Sequence, residues 1–475
     1  MRTSLRKRYF GDRAFYAMVL AIAVPIMVQN GITQFVGLLD NIMVGRVGEP
    51  EMRGVGVANT LIFVFNLAIF GAVSGAGIFG AQFFGCQDYN GVRHAFRFKL
   101  YVGAALLLLG TAVFLLFGDR LIMLYLLGEG TEAERAASFL HAQNYLRIML
   151  LGFLPFVLSQ CYSGTLRECG QTIVPMIAGI VSVLVNLGLN TVLIFGYLGF
   201  PAMGAEGAAI ATVIARFAEA AIVMVWAHAN PQKNPYIVGL YRSLRIEKQL
   251  AVRIAKKTVP LMLNETLWAG GMALLSQCYS LSGLIVGPAY TICSTVSNVF
   301  NVAFLAMGNA IGIIVGQLLG ADKPDEAVDT DRKLIVFSVL ICFVIGGVMA
   351  AVSPLIPKMY NATEAVRSLA CDFLVIMALC MPINSLANAC YFTLRSGGKT
   401  FVTFLFDSFY VCVFTVPLAY GLHFLGVGIV PLFLICQLAD FGKCVIGLIM
   451  IKKGMWIHNI VKEQGNEGHK VLSDA

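Results

Sequence analysis

Twelve apolar runs dominate the sequence, over approximately residues 14–43, 54–84, 98–117, 137–162, 173–197, 207–228, 258–283, 286–319, 334–356, 368–391, 401–422 and 427–450. A helix rises 1.5 Å per residue, so about 20 residues cross a hydrocarbon core ~30 Å thick. A soluble domain has no interior large enough for so many helices that are apolar all round. Only 13% of the 475 residues are charged, against about 25% in soluble domains. The expected fold class is therefore an all-α membrane protein of twelve transmembrane helices. A membrane β-barrel would show short alternating segments instead.

The first run follows the basic stretch "MRTSLRKRYFGDR" and extends from Phe15 to about Val44. A cleavable leader has a shorter apolar core and a small-residue cleavage site. This run is longer than a bilayer needs, which predicts a tilted, uncleaved first helix.

The net charge of +8 reads as cytoplasmic retention of basic residues and not as a nucleic-acid surface. With the N-terminus inside, 25 of the 34 Lys and Arg fall on cytoplasmic segments and 6 on external loops; Arg147, Arg216 and Lys443 lie within runs. The expectation is a multi-pass protein of the cell (plasma or inner) membrane, in contact with the lipid bilayer, with both termini cytoplasmic. The twelve cysteines form no C-x-x-C pair, and the six histidines are scattered. Neither a disulfide framework nor a zinc site is indicated.

The segment 229–257, with "NPQKNPYIVGLYRSLRIEKQ", is the longest non-apolar stretch, with six runs on either side. The expected organisation is an N-terminal six-helix bundle (1–228), a cytoplasmic linker (229–257), a C-terminal six-helix bundle (258–451) and a cytoplasmic tail (452–475). Internal similarity supports the division. "VPIMVQNG" at Val24–Gly31 returns 235 residues later as "VPLMLNET". At the same offset Phe65 and Asn66 pair with Phe300 and Asn301, Gln82 with Gln317, and Gly85 with Gly320. At offset 228, "TLRECGQT" matches "TLRSGGKT". Two halves that both begin inside share topology, the arrangement of transporters with a cavity between parallel repeats.

Polar residues inside the runs are the candidates for chemistry. Glu265 lies eight residues beyond Lys257, about 12 Å into the membrane at helical rise. An ionised carboxylate at that depth is costly, so Glu265 is expected to face protein or a water-filled cavity and to exchange a cation. Glu265, Trp268, Met272, Ser276 and Tyr279 fall on one helical stripe, as do Tyr290, Ser294, Ser297 or Asn298, and Asn301 on the next run. Aromatic faces, a thioether and an acid suit an organic cation. In the first half Gln29, Thr33 and Asp40 form a similar stripe. At offset 235 Asp40 pairs with Leu275, and Glu265 with Asn30. Each acid therefore breaks the repeat. Asp407 is a further possible titratable site, Asp440 and Lys443 are three apart and suited to pair, and so are Arg216 and Glu219. Pro25 and Pro260 each remove a backbone hydrogen bond inside a helix. No P-loop is present, so transport, if that is the function, is secondary. No clustered His, Ser–Lys or carboxylate pair points to an enzyme, and no cofactor is implied.

"LLDNIMVGRVG", "NTVLIFGYLGFPAMGAEGAAIATVIAR", "VPLMLNETLW" and "TLRSGGKT" resemble the MATE family, the multidrug and toxic compound extrusion transporters, over essentially the whole chain. The resemblance implies two six-helix bundles with a central cleft, and exchange of organic, cationic amphipathic compounds against H⁺ or Na⁺. It implies coupling roles for Asp40 and Glu265, with Na⁺ at Glu265 or Asp40 as the only metal to expect. Two positions depart from the pattern. Asn186 and Asn190 occupy the fifth-span pair, where some members have Asn and Asp. Asn384 stands where sodium-coupled members have an aspartate. A monomer is expected, acting on small organic molecules. The alternative is a flippase of the related superfamily for a lipid-linked saccharide.

Overall fold

The computed structural model describes residues 7–126, 131–243, 245–360 and 362–462, and among them the chain is built from helices and turns with no strand. The expected tail from 463 onward lies outside the described residues. The helices are α1 Arg13–Gly45, α2 Glu49–Gly85, α3 Tyr89–Leu126, α4 Glu132–Leu151, α5 Phe153–Glu168, α6 Ile173–Phe195, α7 Gly204–Ala229, α8 Lys248–Ser280, α9 Val286–Gly320, α10 Pro324–Val352 and α11 Glu364–Ser396. Two more spans follow, α12 over Thr400–Phe424 and α13 over Ile429–Lys452. Ten described helices are long and apolar enough to cross a membrane, and α4 with α5 makes an eleventh span bent by 49°. The twelfth, α8, is 33 residues long but less apolar, because it carries Arg253, Lys256, Lys257 and Glu265.

Local sequence explains the ends and the bends. Thr131 caps α4 in a reciprocal box with Glu134, and Thr363 caps α11. The bend between α4 and α5 falls at Gly152, with Pro155 just beyond. Proline has no N–H to continue the ladder, so the helix breaks there. Helices α5 and α11 both run out at the "TLR" turn, where Gly170 and Gly398 adopt φ of 79° and 72°. Only glycine takes that left-handed conformation without strain. α12 is not regular: Leu405–Phe409 and Val411–Thr415 are π turns.

The chain divides into two compact units. One consists of Val28–Gly77 and Tyr89–Ile254. The other combines Ile78–Asp88 with the described residues before Val28 and after Ile254. This differs from the boundary expected at the linker. The linker is not a loose connection: Arg97 donates to the carbonyls of Leu240, Gly239 and Arg245 at 2.9, 3.0 and 3.2 Å, and Tyr236 is fully buried. The segment through Ile254 is thus held to α3.

The core of the second unit is aromatic. Phe433 lies against Phe373, Tyr279 and Tyr290, with ring centroids 4.5, 5.4 and 6.3 Å away. The same unit ties the end of α2 to the last described residues. Gln82 Oε1 accepts from the Ile460 amide at 3.0 Å, and its Nε2 donates to the carbonyls of Ser396 and His458 at 3.0 and 3.2 Å. A Cβ at Gly85 would collide with the Gln317 backbone, and one at Gly320 with the Gln82 backbone. The two repeat-related glycines therefore let the ends of α2 and α9 touch.

Candidate functional site

In the first unit, α1, α6 and α7 bring one acid and several amides together. Asn190 donates to Asp40 Oδ1 at 2.5 Å and to Asn186 Oδ1 at 3.1 Å. Asn186 in turn donates to Thr212 Oγ1 at 3.1 Å. Asn186 and Asn190 are one helical turn apart on α6, so both face Asp40. Asn190 is fully buried, and its Oδ1 has no hydrogen-bond partner. Asp40 makes no ion pair among the described residues. Gln29, also buried, is not part of this chain of bonds; its Oε1 accepts from Arg167 at 2.5 Å.

In the second unit the polar groups form a longer network. Tyr391 of α11 donates to Glu265 Oε1 at 3.4 Å. Asn264, buried beside Glu265 on α8, approaches the Tyr391 hydroxyl at 3.3 Å and donates to Asp407 Oδ2 at 3.2 Å. Asn264 also accepts from the Ser408 amide and hydroxyl at 3.3 and 2.7 Å. Asp407 Oδ1 holds the Lys443 ammonium at 3.0 Å, and Asp440 lies 3.5 Å from the same nitrogen. The Arg395 guanidinium stacks on Phe392 and Tyr391 at 5.2 and 5.9 Å, and its buried Nη1 has no hydrogen-bond partner. Arg395 and Asp407 are the charged neighbours whose fields reach Glu265.

The stripe expected on α8 is not one surface. Trp268 is exposed, Met272 is half-buried, and Tyr279 is 2% exposed inside the aromatic core. Tyr279 is therefore a packing residue and not a cleft residue, because Phe433, Tyr290 and Cys436 enclose it. Tyr290 packs against that same core. On α9, Asn298 is exposed and Asn301 half-buried. Asn384 is half-buried, with its Oδ1 enclosed and without a partner. Arg216 stacks on Phe156 at 4.9 Å, and Lys443 sits closer to Asp407 than to its expected partner Asp440.

Sequence reasoning missed Asn264, Tyr391, Ser408 and Thr212. For Asn264 a signal existed: at offset 235 it pairs with Gln29, and each of the two is a buried amide bonded to a polar group from another helix. No group of three or more His, Cys, Asp or Glu able to hold a metal exists among the described residues.

Twelve spans on a repeated sequence, with a half-buried acid bonded to an amide or hydroxyl of another helix in each half, define a polytopic membrane transporter of the two-repeat class. The chain belongs to the MatE family, whose profile matches residues 25–192 and 260–421. It is 24% identical over 360 residues to the probable multidrug resistance protein NorM of Thermotoga maritima, covering 73% of each chain. It is 28% identical to the probable multidrug resistance protein YoeA of Bacillus subtilis, covering 69% of this chain and 68% of that one. The fold matches the outward-facing conformation of a multidrug resistance MATE family transporter of the MOP superfamily. That match has a TM-score of 0.84 at 17% identity and covers 94% and 97% of the two chains.

Proposed function

We propose that this chain is a secondary active efflux antiporter that exports organic, cationic amphipathic compounds in exchange for H⁺ or Na⁺, working by alternating access. Glu265 is the principal coupling residue and Asp40 the second. The observation that carries this reading is the setting of Glu265. It is an acid within a span, bonded to a tyrosine and joined through Asn264 to Asp407, with no ion pair of its own among the described residues. A carboxylate so placed is most easily neutralised by a cation that comes and goes. Occupation from outside displaces the substrate, and release inside lets the site bind again. The 25-to-6 bias of Lys and Arg supports cytoplasmic termini in the cell membrane.

Of the buried bases, the lysines Lys99 and Lys443 each hold a carboxylate, Arg97 is spent on backbone carbonyls and Arg395 lies on two aromatic rings. A carrier of lipid-linked sugar phosphates needs several free bases gathered in its cavity, so the organic-cation reading is favoured. Dye or drug efflux from vesicles under imposed pH and Na⁺ gradients is the test. Gradient-driven efflux by the parent and its loss in Glu265→Gln are expected. Gradient-independent transport, or full activity in Glu265→Gln, overturns the mechanism.

A further inference from the structure

Lys443 is a base inside α13, 5% exposed, with a carboxylate on either side. Its neighbours are drawn from two helices. Asp407 comes from a π turn of α12, Asp440 from α13 itself, and the Tyr410 ring lies 5.7 Å from the ammonium. π turns interrupt helices at some energetic cost and gather at functional sites. This one places Asp407 so that one oxygen takes Lys443 and the other takes Asn264, the amide that also reaches Tyr391 beside Glu265. The charged groups of the network are then Glu265, Asp407 and Asp440 against Lys443 and Arg395. Two of three negative charges are balanced by the protein's own bases. One remains, and Glu265 is the acid without a base in ion-pair contact among the described residues, Arg395 reaching it only through space.

We propose that Lys443 is the resident cation of this bundle and a determinant of its ion specificity. Its ammonium holds the place between Asp407 and Asp440 that a mobile Na⁺ could otherwise fill. It thereby leaves Glu265 as the single exchangeable acid of the network, taking one positive charge per cycle. An ammonium tethered to the helix cannot leave, so Asp407 and Asp440 serve the fold while Glu265 serves the exchange. Removing the tether converts a structural ion pair into a cation site, because the two carboxylates remain and water or Na⁺ can enter the vacated volume.

The inference rests on Glu265 as a coupling acid, but its readout does not require transport. Thermal unfolding of the purified full-length protein in detergent is compared in NaCl and choline chloride. In Lys443→Gln the Na⁺-specific stabilisation is expected to exceed that of the parent by several degrees, and to vanish when Asp407→Asn is added. Lys443→Arg keeps the charge and is expected to respond as the parent does. Lys443→Gln leaves two half-buried charges unbalanced and can fail to fold. The double variant Lys443→Gln/Asp440→Asn keeps the parent's net charge, and the same gain of Na⁺ response is expected at Asp407. Equal Na⁺ responses in the parent and the folded Lys443→Gln variants overturn the proposal. A parent that shows no gradient-driven efflux while Lys443→Gln gains the Na⁺ response removes the efflux reading and leaves the role of Lys443 standing.

Discussion

The turns after α5 and α11 share the pattern TLR-x-x-G-x-T, yet they hold opposite charges. In the first, Thr165 Oγ1 accepts from Lys99 Nζ at 3.0 Å, and Lys99 lies 2.6 Å from Glu168 in a buried ion pair. In the second, Thr393 Oγ1 donates to Asp331 Oδ1 at 2.6 Å, and Ser396 stands at the position of Glu168. A hydroxyl both donates and accepts, so one threonine serves either sign. The repeat preserved the turn, its glycine and its threonine, and left the charge around them free to diverge. The same holds deeper in the membrane, where Asn30 has Glu265 as its counterpart and Asp40 has Leu275.

The largest effect expected from breaking this comparison is at Lys99. Lys99→Met takes the ammonium away from the buried Glu168 carboxylate and should cost about 3–5 kcal/mol, read as a fall in unfolding midpoint. Asp331→Asn keeps an oxygen for Thr393 and should cost about 1 kcal/mol or less. Equal losses at the two sites would show that the turns are energetically alike despite their charges. Next comes Asn264→Ala, which removes the bonds to Asp407, Tyr391 and Ser408 together and should destabilise by about 2–3 kcal/mol while impairing efflux. Its first-unit comparison, Asn190→Ala, strips Asp40 of its donor and should cost about 1–2 kcal/mol, with a smaller loss of efflux than Asn264→Ala. A reversed order in the transport assay would make Asp40, and not Glu265, the principal coupling residue. The smallest effects are at the threonines: Thr165→Val and Thr393→Val should each cost about 1 kcal/mol, and serine at either position should restore most of it.

The spans, the repeat and the family could be read from the sequence because each leaves a one-dimensional signature: length, offset and motif. Asp40, Asn186 and Asn190 could be named for the same reason, and the structure joins them by hydrogen bonds. The facing of α8 left no such signature. In a soluble helix the polar side marks the outside, but lipid is as apolar as a protein core, so hydrophobic periodicity does not separate them. That is why Trp268 and Tyr279 share a stripe on paper while one is exposed and the other lies in the core. Asn264 carries no charge to mark it out in an apolar run, although it is the residue that links Tyr391, Asp407 and Ser408. The i, i+3 spacing of Asp440 and Lys443 points only to a pair within one helix. A partner on another helix, Asp407, has no sequence signal at all, because the π turn that delivers it is a feature of packing.

The second unit is discontinuous: the start of α1 and Ile78–Asp88 join it, while the stretches that follow each of them build the other unit. During synthesis, domains fold in the order in which they emerge, at about 5–20 residues per second. Every residue of the first unit has been made by the time Ile254 appears. Gln82 must wait far longer for Ser396, His458 and Ile460, roughly 20–75 s at those rates. The earliest part of the chain is therefore inserted as a placeholder, and the unit that holds Glu265 is completed only when the last described residues return to it.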